Sequence, residues 1–246
     1  LKYVLGGLGD FIQHTENAIK EEILYVCTHQ SIRSAENFFK PFDLKLKVSK
    51  FDSVGSMRQI PGLSFMSPVK RTLFPDTSIF MPHIKEKVLD KTIAVHPIGS
   101  KFSNEFWSKL GQPQKYIPVN VLEKICKHFS SYNFLLLGPE EETNQYRHIE
   151  NVSQVIEENI WESFSYLAAC ECFIGVDSVF KTMSCILNVP TFVLLGNYQD
   201  ETRDNMFINP YVDKGLMKVY RFNNLEKEST KVIEELGIYK NEYKRS

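Results

Sequence analysis

The chain has 246 residues, 43% of them hydrophobic and 24% charged, and its 29 basic and 30 acidic side chains leave a formal net charge of −1. That composition suits a globular protein with a sizeable core, and the charge balance gives no electrostatic case for nucleic acid or an anionic membrane. No apolar run reaches the roughly 18 residues of a membrane span, and the length allows one large domain or two small ones.

Short β-rich runs alternate with amphipathic segments along most of the chain. The first run, Lys2–Leu5, leads into Gly6-Gly7-Leu8-Gly9-Asp10. Glycines at a strand end serve a sharp turn or a close approach. Asp10 then stands either as a helix cap or as a group with chemistry to perform, with His14 one helical turn further on. Ile23–Cys27, Leu44–Val48 and Ser78–Met81 complete a first series of predicted strands. Residues 50–75 contain Gly55, Pro61, Gly62, Pro68 and Pro75 without clear periodicity and read as long loops with short helices. The polar stretch Pro82–Lys91 reads as an interdomain linker. The predicted organisation is a first domain of residues 1–84, a linker of 85–91 and a second domain of 92–246.

A second series of predicted strands follows at Thr92–His96, Asn133–Leu137, Val152–Ile156, Cys172–Val176, Thr191–Leu195 and Met217–Arg221. Val119–Phe129 is an amphipathic helix with Val121, Leu122, Ile125 and Phe129 on one face. Strands separated by helices imply parallel sheets covered on both faces. A last helical pattern, Leu225 to Leu236, is expected to pack back toward the first domain. Trp107 and Trp161 read as anchors of helix packing.

Three strand ends of the second series carry anion-binding chemistry. In "FIGVDSVFK" an apolar strand runs through Gly175 into Asp177, Ser178, Val179 and Lys181 at a helix start, where unsatisfied N–H groups suit a phosphate. Asp177 or Ser178 equally serves as that helix's cap. In "HPIGSK", Gly99, Ser100 and Lys101 offer amides, a hydroxyl and an ammonium group. In "LLLGPEEE", Glu140 and Glu141 could accept hydrogen bonds from ribose hydroxyls or simply belong to a first helical turn, where acidic residues are common.

The five cysteines form no C-x-x-C pair, and their odd number fits free, mostly buried thiols in a reducing compartment. The six histidines lack zinc-ligand spacing, so no metal site is expected. The start at Leu1 reads as short of only a few residues and lacks a signal-peptide layout. A cytoplasmic location is expected, with the basic tail "YKNEYKRS" able to touch the inner face of a membrane weakly.

Taken in order, "GGLGDFIQHT", "HPIGS" with the later "KYIP", and "ENIWESFSYLAACECFIGVDSVFKTMSCILNVPTFVLLGN" resemble the ADP-heptose:lipopolysaccharide heptosyltransferases, glycosyltransferase family nine. The resemblance covers nearly the whole chain. It implies a GT-B fold of two Rossmann-like domains around a cleft, the N-terminal one shortened here. It implies a nucleotide-sugar donor, ADP-sugar favoured, on the second domain and a glycan or lipid-linked acceptor on the first. Neither a further cofactor nor an obligatory metal follows from it. Asp10 would be the base of an inverting transfer, with Gly7, Gly9 and His14 on the acceptor side. Donor contacts fall on Gly99, Ser100, Lys101, Lys115, Glu140, Glu141, Asp177, Ser178, Val179 and Lys181. Residues 101–114 stretch the family's phosphate segment, so Lys101 and Lys115 compete for its basic position; "KYIP" favours Lys115. Val179 and Thr182 replace the family's usual Gly and His. A non-catalytic nucleotide- or sugar-binding relative fits the shortened first half and Val179, and a glycine-rich turn alone also fits another Rossmann-like transferase such as a methyltransferase.

Overall fold

The computed structural model describes residues 2–5, 7–19, 23–28, 32–42, 46–51, 67–68, 70–99, 115–155, 159–196, 205, 208–222, 224 and 226–243. The chain divides into two compact units, Leu1–Glu86 with Glu157–Ser165, and Lys87–Ile156 with Tyr166–Ser246.

The first unit is built on a four-stranded sheet of β1 (Lys2–Leu5), β2 (Ile23–Thr28), β3 (Leu46–Phe51) and β4 (Ser67–Pro68), in the order β3-β2-β1-β4. Every pairing is parallel. After β1 come the short helices α1 (Leu8–Ile12) and α2 (Thr15–Ala18), and after β2 comes α3 (Ile32–Phe39). Val4, Leu8, Phe11, Ile12, Phe38, Phe39 and Phe80 are buried. Phe11 meets Phe39 edge to face at 4.1 Å between ring centroids. Aromatic pairs of this kind add to the free energy of burial.

Residues 157–165 join this unit through Trp161, on α6 (Ile160–Ala168). Its ring stacks on Phe38 at 4.9 Å and 13°. Its indole N–H donates to the Phe38 carbonyl at 3.2 Å. Trp161 is thus an anchor of helix packing, and its polar atom is spent on the backbone of the first unit.

The second unit contains a six-stranded, all-parallel sheet: β5 (Thr92–His96), β6 (Asn133–Leu137), β7 (Val152–Val155), β8 (Cys172–Gly175), β9 (Thr191–Gly196) and β10 (Met217–Phe222). The order is β10-β9-β8-β5-β6-β7. Strand order therefore runs outward in both directions from the β5/β8 pair, the doubly wound arrangement whose reversal point opens a crevice at the carboxyl ends of the strands. The central strand β5 is buried along its whole length, as cover on two faces requires.

The helix α4 (Val119–His128) buries Val121, Leu122, Ile125 and Cys126, positions that share one face at 3.6 residues per turn. Phe129 closes the helix as its C-cap and packs at the core's edge. The last helix, α9 (Ser229–Tyr243), places Val232 and Leu236 in the same core, and Lys124 of α4 donates to Ser229 at 3.2 Å.

One predicted strand is not formed. Ser78–Met81 lies across two 3-10 turns, Thr77–Ile79 and Met81–His83. Asp76 caps the first by accepting from the Ser78 N–H at 2.9 Å, and Pro82 sits in the first turn of the second. These local bonds hold a tight turn in place of an extended strand. The fourth strand of the first sheet is β4, in the stretch that reads as loop because Pro68 limits its ladder to two residues. No described helix is long and apolar enough to cross a membrane.

Candidate functional site

Among the described residues, each unit carries a polar cluster at the end of its central parallel strands. In the second unit the β5 end and the segment 115–118 are laced together. The Gly99 N–H donates to the Lys115 carbonyl at 2.7 Å, and the Ile117 N–H donates to the Pro97 carbonyl at 2.7 Å. Ile98 and Tyr116 form an antiparallel bridge. A Cβ on Gly99 would lie 2.9 Å from the Lys115 Cβ, so this close approach needs glycine. The buried Tyr146 hydroxyl donates to the Ile117 carbonyl at 2.6 Å, and burial pushes that phenol above its ordinary range.

The result of this lacing is the position of Lys115. Its Nζ lies 2.8 Å from Asp177 Oδ2, and Lys181 Nζ lies 2.9 Å from Asp177 Oδ1. One carboxylate is therefore gripped by two ammonium groups. Lys181 is 1% exposed, against 17% for Lys115 and 13% for Asp177. The buried Tyr211 ring, on α8 (Asn209–Asp213), lies 5.8 Å from Lys181 Nζ, within cation–π reach.

Asp177 stands on the turn between β8 and α7 (Val179–Ile186). Ser178 is the N-cap of α7, its hydroxyl accepting from the Lys181 N–H at a long 3.5 Å, and Val179 is the first helical residue. Ser178 thus takes the cap, and Asp177 pairs with both lysines. The cluster lies at the β5/β8 reversal point, where the His96 carbonyl accepts from the Val176 N–H at 3.2 Å. Ser100 and Lys101 fall outside the described residues.

The β6 end carries three successive glutamates, 140 to 142. Glu140 opens α5 (Glu140–Thr143) and pairs with Arg147 at 2.9 Å on an exposed surface, and Glu141 is exposed. It is Glu142 that turns inward, its Oε2 lying 3.7 Å from His96 Nε2. His96 is buried, packs on the Phe180 ring at 4.8 Å, and has no hydrogen-bond partner for Nδ1 among the described residues. Gly138, at φ +123°, makes room for it: a Cβ there would lie 3.0 Å from the His96 ring. Neither His96 nor Glu142 stood out as a site residue in the sequence. The available signal was a histidine before Pro97 at a strand end.

In the first unit the cluster follows β1. Asp10, in the first turn of α1, accepts from the Gly7 N–H at 2.9 Å through Oδ2. Its Oδ1 lies 3.7 Å from Arg71 Nη2. Gly7 has extended backbone, φ −79° and ψ 177°, which other residues adopt too. Gly9 lies within α1, and His14 is buried at the start of α2. The segment carrying Arg71 follows β4 and is tied to the α1–α2 corner. The Thr72 N–H donates to the Gln13 carbonyl at 2.6 Å, and the Asn17 amide donates to Thr72 at 2.8 Å and to the Lys70 carbonyl at 3.0 Å. β1 and β4 flank the reversal point of this sheet, so Asp10 and Arg71 meet where the crevice of a doubly wound sheet opens. Arg71 carried no signal in the sequence, because it comes from a loop without periodicity.

Cys126, Cys170 and Cys185 are free, buried thiols whose ionisation desolvation pushes up to about 12, 12 and 11. Such thiols are poor nucleophiles.

No protein-family model matches the sequence, and no curated protein does. Solved structures do. The chain resembles the structure of E. coli ADP-heptose lps heptosyltransferase II with a TM-score of 0.56 and 12% identity, over 97% of this chain and 98% of that one. It resembles the glycosyl transferase family 9 structure from Veillonella parvula DSM 2008 with a TM-score of 0.50 and 12% identity, over 94% of this chain and 89% of that one. At such identity the likeness establishes the fold: an α/β architecture with parallel sheets, shared with GT-B-like glycosyltransferase structures.

Proposed function

We propose that this chain is an inverting glycosyltransferase, which moves a sugar, heptose or related, from a nucleotide-diphosphate sugar to a hydroxyl of a glycan or lipid-linked acceptor. The observation that carries this reading is the Lys115–Asp177–Lys181 cluster, net positive and set at the reversal point of a doubly wound sheet. Ammonium groups beside a helix N-terminus suit the diphosphate of a departing nucleotide. The fold likeness to glycosyltransferase structures adds support, and the ADP-heptose in one neighbour's name favours ADP as the nucleotide.

In this reading Lys115 and Lys181 face the negative charge that grows on the leaving diphosphate. Ser178 and the amides opening α7 complete that site, and Glu140 and Glu141 serve the ribose hydroxyls. Asp10 takes the proton of the acceptor hydroxyl as its oxygen attacks the anomeric carbon, on the face opposite the breaking bond to the diphosphate. Gly7, Gly9 and His14 belong to the acceptor side.

A second reading, a non-catalytic nucleotide-binding relative, draws on one observation: Asp10, third residue of α1, accepts from the N–H of the N-cap Gly7 as the acidic member of a capping box does. Turnover with an acceptor separates the two.

The test of the donor site is thermal unfolding with ADP, GDP, UDP and CDP. One of them is expected to raise the melting temperature, because a ligand of the native state stabilises it by mass action. Lys115→Ala removes a charge-assisted contact worth about 1.5–3 kcal/mol, and is expected to weaken nucleotide binding by about tenfold or more. Lys101→Ala is expected to weaken it less. No shift with any nucleoside diphosphate or nucleotide sugar at millimolar concentration overturns the reading.

A further inference from the structure

Lys115 stands just before α4, in a segment that has neither helix nor sheet ladder of its own. Two backbone bonds, Gly99 N–H to the Lys115 carbonyl and Ile117 N–H to the Pro97 carbonyl, tie that segment to the end of β5. A side chain supplies a further tie from elsewhere in the fold. Tyr146 lies on the 3-10 turn Asn144–Tyr146 that follows α5, and its hydroxyl donates to the Ile117 carbonyl at 2.6 Å. Tyr146 and Ile117 are both 0% exposed. Tyr146 is itself held, its carbonyl accepting from the Ile149 N–H at 3.2 Å and its ring belonging to the core with Val121, Ile125 and Phe134. A hydroxyl this deep meets no ligand, so any effect it has on the site passes through the peptide it holds.

We infer that Tyr146 is a positioning residue of the donor site: its bond to the Ile117 carbonyl fixes residues 115–118 and so sets the place from which Lys115 meets a phosphate oxygen. The inference rests on the reading of Lys115 as a diphosphate ligand. The connection from β6 to β7 that carries Tyr146 also carries Glu140 and Glu141. One buried bond thereby joins the stretch proposed for the ribose to the stretch proposed for the phosphates. Tyr146→Phe keeps the ring and removes the donor alone. The buried Ile117 carbonyl then loses this partner, a costly state for an acceptor away from water. The peptide gains by shifting to find another donor, and Lys115 is only two residues away.

The experiment is a double-mutant cycle of Tyr146→Phe and Lys115→Ala. It reads the dissociation constant of ADP, or of whichever of GDP, UDP and CDP raises the wild-type melting temperature, well below melting. Tyr146→Phe is expected to weaken binding about three- to tenfold in the wild-type background, the scale of one buried hydrogen bond. In Lys115→Ala it is expected to weaken binding by less than about twofold, because the contact it positions is already gone. Amide exchange gives a second readout: the Gly99 and Ile117 N–H groups are expected to lose protection in Tyr146→Phe.

A hydroxyl that serves stability alone lowers the melting temperature but leaves affinity unchanged, or weakens it equally in both backgrounds. Either result overturns the inference and leaves the diphosphate site standing, as does unchanged protection of both amides. A Tyr146→Phe chain that does not melt cooperatively also overturns it, because the bond then carries the fold rather than the place of Lys115. Full nucleotide affinity in Lys115→Ala, or no nucleoside diphosphate binding by wild type, overturns the reading of Lys115 and the inference with it.

Discussion

Replacing Asp10 by asparagine separates a base from a cap, and the structure supplies the magnitudes. The amide oxygen of asparagine can still accept from the Gly7 N–H, now 2.9 Å from Oδ2, so the capping bond survives. What is lost is the charge facing Arg71. That pair spans 3.7 Å, with side chains 21% and 29% exposed. A solvent-reachable ion pair of this kind contributes about 0–1 kcal/mol. In a protein of this size 1 kcal/mol corresponds to about 2–4 °C in melting temperature. Asp10→Asn is therefore expected to melt within about 4 °C of wild type. Asp10→Ala also removes the capping acceptor and is expected to cost about 0.5–2 kcal/mol. A general base contributes about 10²–10⁴-fold to rate, so both variants should lose turnover by that factor while keeping donor affinity. Turnover is read as acceptor-dependent release of nucleoside diphosphate, with melting and donor titration on the same samples. Wild-type turnover by Asp10→Asn, beside the stability loss of Asp10→Ala, would falsify the assignment and leave Asp10 as a cap.

Gly138→Ala forces an L side chain into φ +123° with its Cβ 3.0 Å from the His96 ring. Backbone strain of this kind costs about 1–3 kcal/mol, to be read as a lower urea midpoint at unchanged slope; an unchanged midpoint refutes the packing of the β6 turn on His96. The buried thiols are expected to weaken the fold at alkaline pH, together with the buried Tyr146 phenol. Burial raises Cys126 and Cys170 to about 12 and Cys185 to about 11 from an ordinary 9.0. Because the unfolded chain ionises these thiols first, their contribution is intact below about pH 9 and is lost as pH rises toward about 11–12. Urea midpoints measured from pH 8 to 11 should fall with pH, less steeply in Cys126→Ala, and equal slopes refute this cause.

Most of what local pattern can encode was legible along the chain. The strands from β5 to β10 appear in the sequence within a residue or so of their observed ends, because apolar runs and turn residues report burial and chain reversal over a few neighbours. The same local logic narrows the cap of α7 to Asp177 or Ser178 and places Val121, Leu122 and Ile125 on one helical face. It fails at Ser78–Met81, where β-forming side chains are outcompeted by Asp76 capping and Pro82, and at β4, where Pro68 conceals a two-residue strand.

The long-range partners of the charged groups were decided by tertiary structure. Lys115 and Asp177 are 62 residues apart and meet because β5 and β8 are neighbours in the sheet. Asp10 meets Arg71 because β1 pairs with β4 in the first sheet. Glu142 rather than Glu140 or Glu141 reaches His96 because one helical turn aims it inward, where Gly138 leaves space for the ring. Hydrophobic period is a property of a segment. The pairing of charges depends on strand order, which arises only when the whole sheet forms and brings the ends of its central strands to one edge.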